Sequence, residues 1–168
     1  TRRKFPAATR GTAAGIRMRP PGAAGSMACM AEQPLDYDVS AHVPDGLTTR
    51  PLNFGDAGRV FEVMALQQQQ DLGRVEIEEA DIVSDWQRPS YDVGASTIGI
   101  FDGDRLVAYA ELSGGDRGDA AVHPDYRGRG IGSHLATWMQ EQARGRGLKV
   151  IGMPVPEGSP GDRLLEGL

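Results

Sequence analysis

One stretch limits the folds open to this chain more than any other: Val122-His123-Pro124-Asp125-Tyr126-Arg127-Gly128-Arg129-Gly130-Ile131-Gly132. An apolar run ends in a His-Pro-Asp turn. A loop with Gly128, Gly130, Gly132, Arg127 and Arg129 follows, and residues 131–144 then carry an amphipathic helical pattern. Strand, glycine loop and helix start are how a backbone makes an anion site. The N–H groups of a first helical turn have no intrahelical partner, and the helix dipole favours negative charge there. Glycines let the main chain come close to a ligand and take up positive φ. The expectation is an anion cradle.

Two common nucleotide loops fit it poorly. A dinucleotide fingerprint needs Gly-x-Gly-x-x-Gly after a first strand. Here the glycines fall at every second position, after a run of strands. A phosphate-binding P-loop needs Lys and then Ser or Thr after its last glycine; Gly132 is followed by Ser133 and His134.

The 168 residues suffice for one domain with a core, and 39% hydrophobic against 24% charged fits a globular chain. No apolar run approaches the roughly 20 residues of a membrane helix, so no membrane association is expected. Net charge is −5, unevenly spread: residues 1–31 hold Arg2, Arg3, Lys4, Arg10, Arg17 and Arg19 and no acid, so +6 there leaves −11 elsewhere. An acidic body argues against nucleic-acid partners. Cys29 is the lone cysteine and can form no internal disulfide, in keeping with a cytoplasmic protein.

Residues 1–44 are rich in Gly, Pro, Ala and Arg and show no period of 2 or 3.6. They read as a disordered extension, with Met27 or Met30 as a natural start and a transit peptide as a weaker alternative. Residues 45–168 read as the domain. A short strand at 47–52 leads to Asn53, an N-cap for a helix over 55–71 with Val60, Phe61, Met64 and Ala65 at helical spacing. Gln67 to Gln70 near its end read as a solvated face. An acidic helix over 77–86 follows, anchored by Trp86; its carboxylates also read as solvated, and no metal site is expected. Strands at 96–101 and 105–112 are joined by an Asp102-Gly103-Asp104 turn. A third strand at 117–122 runs into the glycine loop. Ile131, Leu135, Trp138 and Met139 form a core-facing stripe. After Gly145-Arg146-Gly147, residues 148–153 read as a buried strand parallel to the one before, ended by Pro154 and Pro156. Ser159 or Asp162 caps a last helix.

The stretch from Val122 to Gly132 resembles the signature motif of the GNAT (GCN5-related) N-acetyltransferases. The order of elements from about Leu47 to Leu168 is similar too. The resemblance implies an α/β (α+β) fold: a mixed central sheet flanked by helices, here lacking the family's last two strands. Those strands line the acceptor side, and without them the 148–153 strand would show an open edge, to be filled by a continuing chain, a second domain or a second copy. It implies acetyl-CoA as cofactor, its pyrophosphate on the amides of Arg127, Gly128, Arg129, Gly130, Ile131 and Gly132. Its pantetheine arm would pair with main chain at Ala121 and Val122, where the 117–122 and 148–153 strands splay apart. A backbone N–H near Val122 would polarise the acetyl carbonyl. The acceptor would be an amine of a small molecule or peptide, attacking the thioester directly.

Glu111 and Asp119 are the catalytic candidates for removing the amine's proton; each also reads as a plain strand-end charge. His123 reads as a turn residue and His134 as a rim residue. Arg127 would hold the loop through carbonyls, and Arg129 would meet phosphates. Leu165 stands where many members of the family carry a Tyr acid, and Gly158 or Ser159 where they carry an Asn. That departure keeps a second reading open: a non-catalytic acyl-CoA-binding or structural domain, as in one half of a tandem protein.

Overall fold

A computed structural model of the chain describes residues 13–17, 43–44 and 46–167. Met27, Met30 and Cys29 lie outside the described residues. Four strands form one sheet in the order β2 (Thr48–Arg50), β3 (Thr97–Asp102), β4 (Arg105–Leu112), β5 (Gly118–Val122), all antiparallel. On one face lie α1 (Ala57–Leu72), α2 (Glu79–Trp86) and the short α3 (Val93–Ser96), a turn of helix that the sequence pattern did not reveal. On the other lies α4 (Ile131–Gly145). β6 (Val150–Pro154) and α5 (Pro160–Glu166) complete the chain.

Local chemistry accounts for these elements. Asn53 caps the entry to α1: its side chain accepts from Gly55 N–H at 2.9 Å, and the Asp56 carboxylate accepts from Asn53 N–H at 3.0 Å. Asp56 is also gripped by Arg50 and Arg59, and its carboxyl is held down at about 2, first by the Arg50 hydrogen bond. Trp86 is buried as expected, edge-on to Phe54. β4 carries a bulge at Val107, opposite the Ile100–Phe101 step. Beyond it, side chains alternate: Ala108, Ala110 and Leu112 face α4, while Tyr109 faces α1. The expected stripe of α4 (Ile131, Leu135, Trp138, Met139) is wholly buried against the first set. Each such side chain contributes roughly 1.5–3 kcal/mol of burial.

The pairing of the last strand has two features. The 148–153 strand meets β5 in the expected parallel sense, and the expected splay begins at once. The two meet at a single bridge, Arg117 with Gly152, where Gly152 N–H donates to the Asp116 carbonyl at 2.6 Å. Approach there is so close that a Cβ on Gly118 would lie 2.2 Å from Met139 Cε and 2.9 Å from Ile151 Cγ2. Continuing the ladder would need the N–H groups of residues 154 and 156 to donate to the Gly118 and Ala120 carbonyls. Both are prolines and have none. The strands therefore part immediately after the bridge.

The second feature involves the 1–44 segment. Within 1–44, Ala13–Arg17 forms β1, an antiparallel partner of β6 in a two-stranded sheet, with Ala13 opposite Pro154 and Arg17 opposite Val150. The outer edge of β6 offers a row of N–H and C=O groups that an extended segment can pair with. The 13–17 stretch, Ala-Ala-Gly-Ile-Arg, has no proline.

Candidate functional site

The site is built where β5 ends and α4 begins. A 3-10 turn at Pro124–Tyr126 leads from the strand into the glycine loop, with His123 as its cap. Gly128 and Gly130 take left-handed φ of 74° and 82°, and among the described residues no atom beyond the immediate chain neighbours lies within 4 Å of where either Cβ would sit. The loop's inner surface is thus bare backbone facing open space. The first intrahelical bond of α4 runs from His134 N–H to Gly130 C=O at 3.0 Å. The N–H groups of Ile131, Gly132 and Ser133 therefore lie ahead of the ladder, at the positive end of a helix of 15 residues. A Cβ at Gly132 would come within 3.0 Å of Leu164 Cδ2 on α5.

The edge of β5 supplies the second half of the site. His123 N–H donates to Val107 C=O at 2.8 Å, and Tyr109 pairs with Ala121, so the odd-numbered residues turn their main-chain groups to β4. Ala120 and Val122 turn theirs to the splay from β6. The main-chain donor beside Val122 is thus Ala120 and not Ala121, whose side chain packs under α1.

The candidate side chains are arranged as follows. Arg127 does not bond loop carbonyls. Its guanidinium forks onto the Asp71 carboxylate at the end of α1, at 2.8 and 2.9 Å, with both groups largely buried. It pins the loop to a helix 56 residues earlier in the chain. Arg129 is exposed, lies 4.8 Å over the Tyr126 ring and donates to the Asp125 carbonyl at 3.4 Å. Its charge is left at the loop's open side.

Glu111 and Asp119 are direct cross-strand partners of β4 and β5, on the face beneath α1 and α2. Glu111 is 8% exposed, and one oxygen accepts from Trp86 Nε1 at 3.1 Å and from the Tyr91 hydroxyl at 3.2 Å. Burial, then the Glu111 charge, pushes the Tyr91 phenol far up, so it stays a donor. Asp119 accepts from Ala120 N–H at 2.9 Å. His134 is buried on α4, not at the rim. His123 is buried too, with Arg105 Nη2 at 2.7 Å from Nε2 and Asp125 N–H at 3.2 Å from Nδ1. A neutral imidazole can accept at only one of these nitrogens, and burial with the Arg105 charge opposes protonation, which suits a turn residue and not a base.

Two glutamines of the 67–70 run were misread as solvated. Gln67 and Gln68 are half-buried, unlike Gln69 and Gln70. Gln67 Oε1 accepts from Val122 N–H at 2.8 Å; Gln68 Oε1 accepts from the N–H groups of Glu76 and Ile77 at 2.7 and 3.0 Å. A signal existed: Val60, Val63, Gln67 and Asp71 fall on one helical stripe, and the first two are core.

A family model for the acetyltransferase (GNAT) family matches residues 60–158, more than half of the chain and the whole of this site. The chain belongs to the GNAT acetyltransferase family. Solved GNAT structures share the fold. A GCN5-related N-acetyltransferase from Sphaerobacter thermophilus matches with a TM-score of 0.57 at 24% identity, over 62% of this chain and 34% of its own. This GNAT chain thus spans about a third of that protein's length. The protein yncA from Salmonella typhimurium, solved with its cofactor acetyl-CoA, matches with a TM-score of 0.58 at 14% identity, over 73% and 78% of the two chains. The ribosomal-protein-S18-alanine N-acetyltransferase from Escherichia coli matches with a TM-score of 0.54 at 18% identity, over 72% and 74%. No curated protein matches the sequence. Among the described residues, no helix of this GNAT domain is long and apolar enough to cross a membrane.

Proposed function

We propose that this chain is an acetyl-CoA-dependent N-acetyltransferase acting on an amine of a small molecule or peptide. One observation carries the reading. An open glycine loop at the start of α4 adjoins a strand edge whose Ala120 and Val122 N–H groups face away from β4. An anion cradle next to a row of main-chain donors suits a long ligand with phosphate at one end and amide and thioester carbonyls along the rest. The bare loop, the N–H groups of Ile131, Gly132 and Ser133 and the exposed Arg129 fit its pyrophosphate. The parting of β5 from β6 after Gly152 fits the pantetheine arm.

Bound acetyl-CoA would supply an activated thioester as acetyl donor, with the CoA thiolate as leaving group. The protein's work is to position the reactants and move protons. A β5 amide at or next to Val122 would hold the acetyl carbonyl. Glu111 or Asp119, side by side on the α1 face, accepts the proton that the attacking amine loses. Arg127, clamped by Asp71, fixes the loop.

Calorimetry of the full chain with CoA tests the reading. Binding is expected, and its absence sinks the proposal. A double change, Gly130→Val with Gly132→Val, is expected to abolish binding. A side chain at 130 would be strained at φ 82° and enter the cradle, and one at 132 would press on Leu164. A thermal melt of the same sample separates lost binding from lost fold.

A second reading, a domain that binds acyl-CoA without turnover, is favoured by one observation. Leu165, where a Tyr acid would stand in many relatives, packs against the apolar core beside α4. Acetyl transfer to a panel of amines decides between the two.

A further inference from the structure

Both edge donors of β5 that face the splay are already taken by protein oxygens. Ala120 N–H donates to Asp119, its own neighbour, a local contact. Val122 N–H donates to Gln67 Oε1 at 2.8 Å, across 55 residues of sequence. This second contact is not local chemistry. It requires α1 to place a polar side chain on its sheet-facing stripe, where Val60 and Val63 are apolar and fully buried. Four residues on, the same stripe carries Asp71, which clamps Arg127 of the glycine loop. One turn of α1 thus holds both halves of the site, the strand edge and the loop.

An amide oxygen seated 2.8 Å from that N–H does what a ligand carbonyl would do there. We propose that Gln67 is an internal ligand of the β5 edge: its side-chain carbonyl keeps the Val122 donor satisfied until a carbonyl of the acyl-CoA arm replaces it. This rests on the cofactor reading above and adds a positioning residue to it. Without the cap, a half-buried N–H beside the splay would be left to water or unpaired, at a cost. With it, the empty edge is kept extended and ready, and cofactor binding is an exchange of one oxygen for another. Gln67 therefore weakens the cofactor's affinity in return for a preformed edge.

The test uses the full chain and three proteins: wild type, Gln67→Met and Gln67→Glu. Methionine keeps the length and apolar stem but lacks a strong acceptor; glutamate keeps an acceptor oxygen. Amide exchange at Val122, read by NMR without cofactor, is expected to speed up in Gln67→Met and to stay slow in Gln67→Glu. Calorimetry with acetyl-CoA is expected to show Gln67→Met binding roughly 2- to 10-fold more tightly, the worth of one net hydrogen bond no longer displaced. Gln67→Glu is expected to bind no more tightly than wild type. A purely structural tie between α1 and β5 predicts the opposite sign, because loosening the site weakens binding. Equal or weaker affinity in Gln67→Met, with wild type binding normally, overturns this inference alone. No binding by any of the three overturns the cofactor reading and this inference with it.

Discussion

The ribbon of β4 and β5 has two faces, and they are built on different rules. Toward α4, Ala108, Ala110, Leu112, Ala120 and Val122 meet Ile131, Leu135, Met139 and Ile151, and the contact is almost entirely hydrocarbon. Toward α1 and α2, the same strands present Tyr109, Glu111 and Asp119 to an indole N–H, a phenol, a thioether and a helix carrying Gln67 and Asp71. Apolar packing is non-directional and carries stability. Buried polar groups cost stability unless paired, and their pairing fixes geometry. The lesson is a difference in make-up across one ribbon: the α4 face is almost wholly apolar, while the α1 face sets the position-fixing polar groups Glu111 and Asp119 beside an apolar core of its own, with Leu106 and Ala121 against Val60, Val63 and Trp86.

The largest expected effect breaks the comparison if it fails. Leu135 is 1% exposed at the centre of the α4 face. Leu135→Ala is expected to destabilise by about 2–5 kcal/mol, the lost transfer energy plus the cavity left behind. Urea unfolding measures it, and a loss below about 1 kcal/mol would show that this face is not the main store of stability.

The opposite face answers differently. Glu111→Gln keeps an oxygen to accept from Trp86 and Tyr91 but removes the charge. Its cost in urea unfolding is expected to be about 1 kcal/mol. Acetyl transfer, in contrast, is expected to fall roughly 100-fold or more if Glu111 is the proton acceptor. A rate within twofold of wild type would leave Asp119 as the candidate. A large stability loss would make Glu111 part of the scaffold and blur the two faces into one.

What the sequence reveals divides along the same line. The α4 stripe was legible because apolar periodicity is a local signal that repeats every turn. The glycine loop was legible because Gly128 and Gly130 occupy positions where a backbone turns left-handed beside a helix start. Asn53 was legible as a cap because a cap acts within three residues. The pairings of Arg127 with Asp71 and Gln67 with Val122 were not, since each joins residues more than 50 apart and no periodicity encodes a partner. The cue was present all the same: polar residues on the core stripe of α1. The parting of β5 and β6 was half legible. Pro154 and Pro156 mark the end of a strand, but only the register set by Arg117 and Gly152 shows which two donors their absence removes. Glu111 stood out by type, while its burial under Trp86 and Tyr91 depends on where α2 lands.

The smallest expected effect sharpens the boundary between the faces, where His123 closes β5. Burial first, and Arg105 next, hold its imidazole below the usual histidine pKa of about 6.5. The unfolded chain therefore binds the proton more readily than the folded one at pH just under that value. Stability from this group is complete above the unfolded pKa and declines as pH falls through the window between the two values. One proton sets a ceiling of about 1.4 kcal/mol per pH unit on the slope. Comparing urea unfolding of wild type and His123→Gln from pH 7.5 to 5 isolates it: the variant, with no imidazole to protonate, is expected to lose less stability across that range. Equal slopes would mean that the folded turn accepts the proton as easily as the unfolded chain. The Arg105 guanidinium, 2.7 Å away, would then have to move, and β5 would end in a hinge and not in a fixed corner.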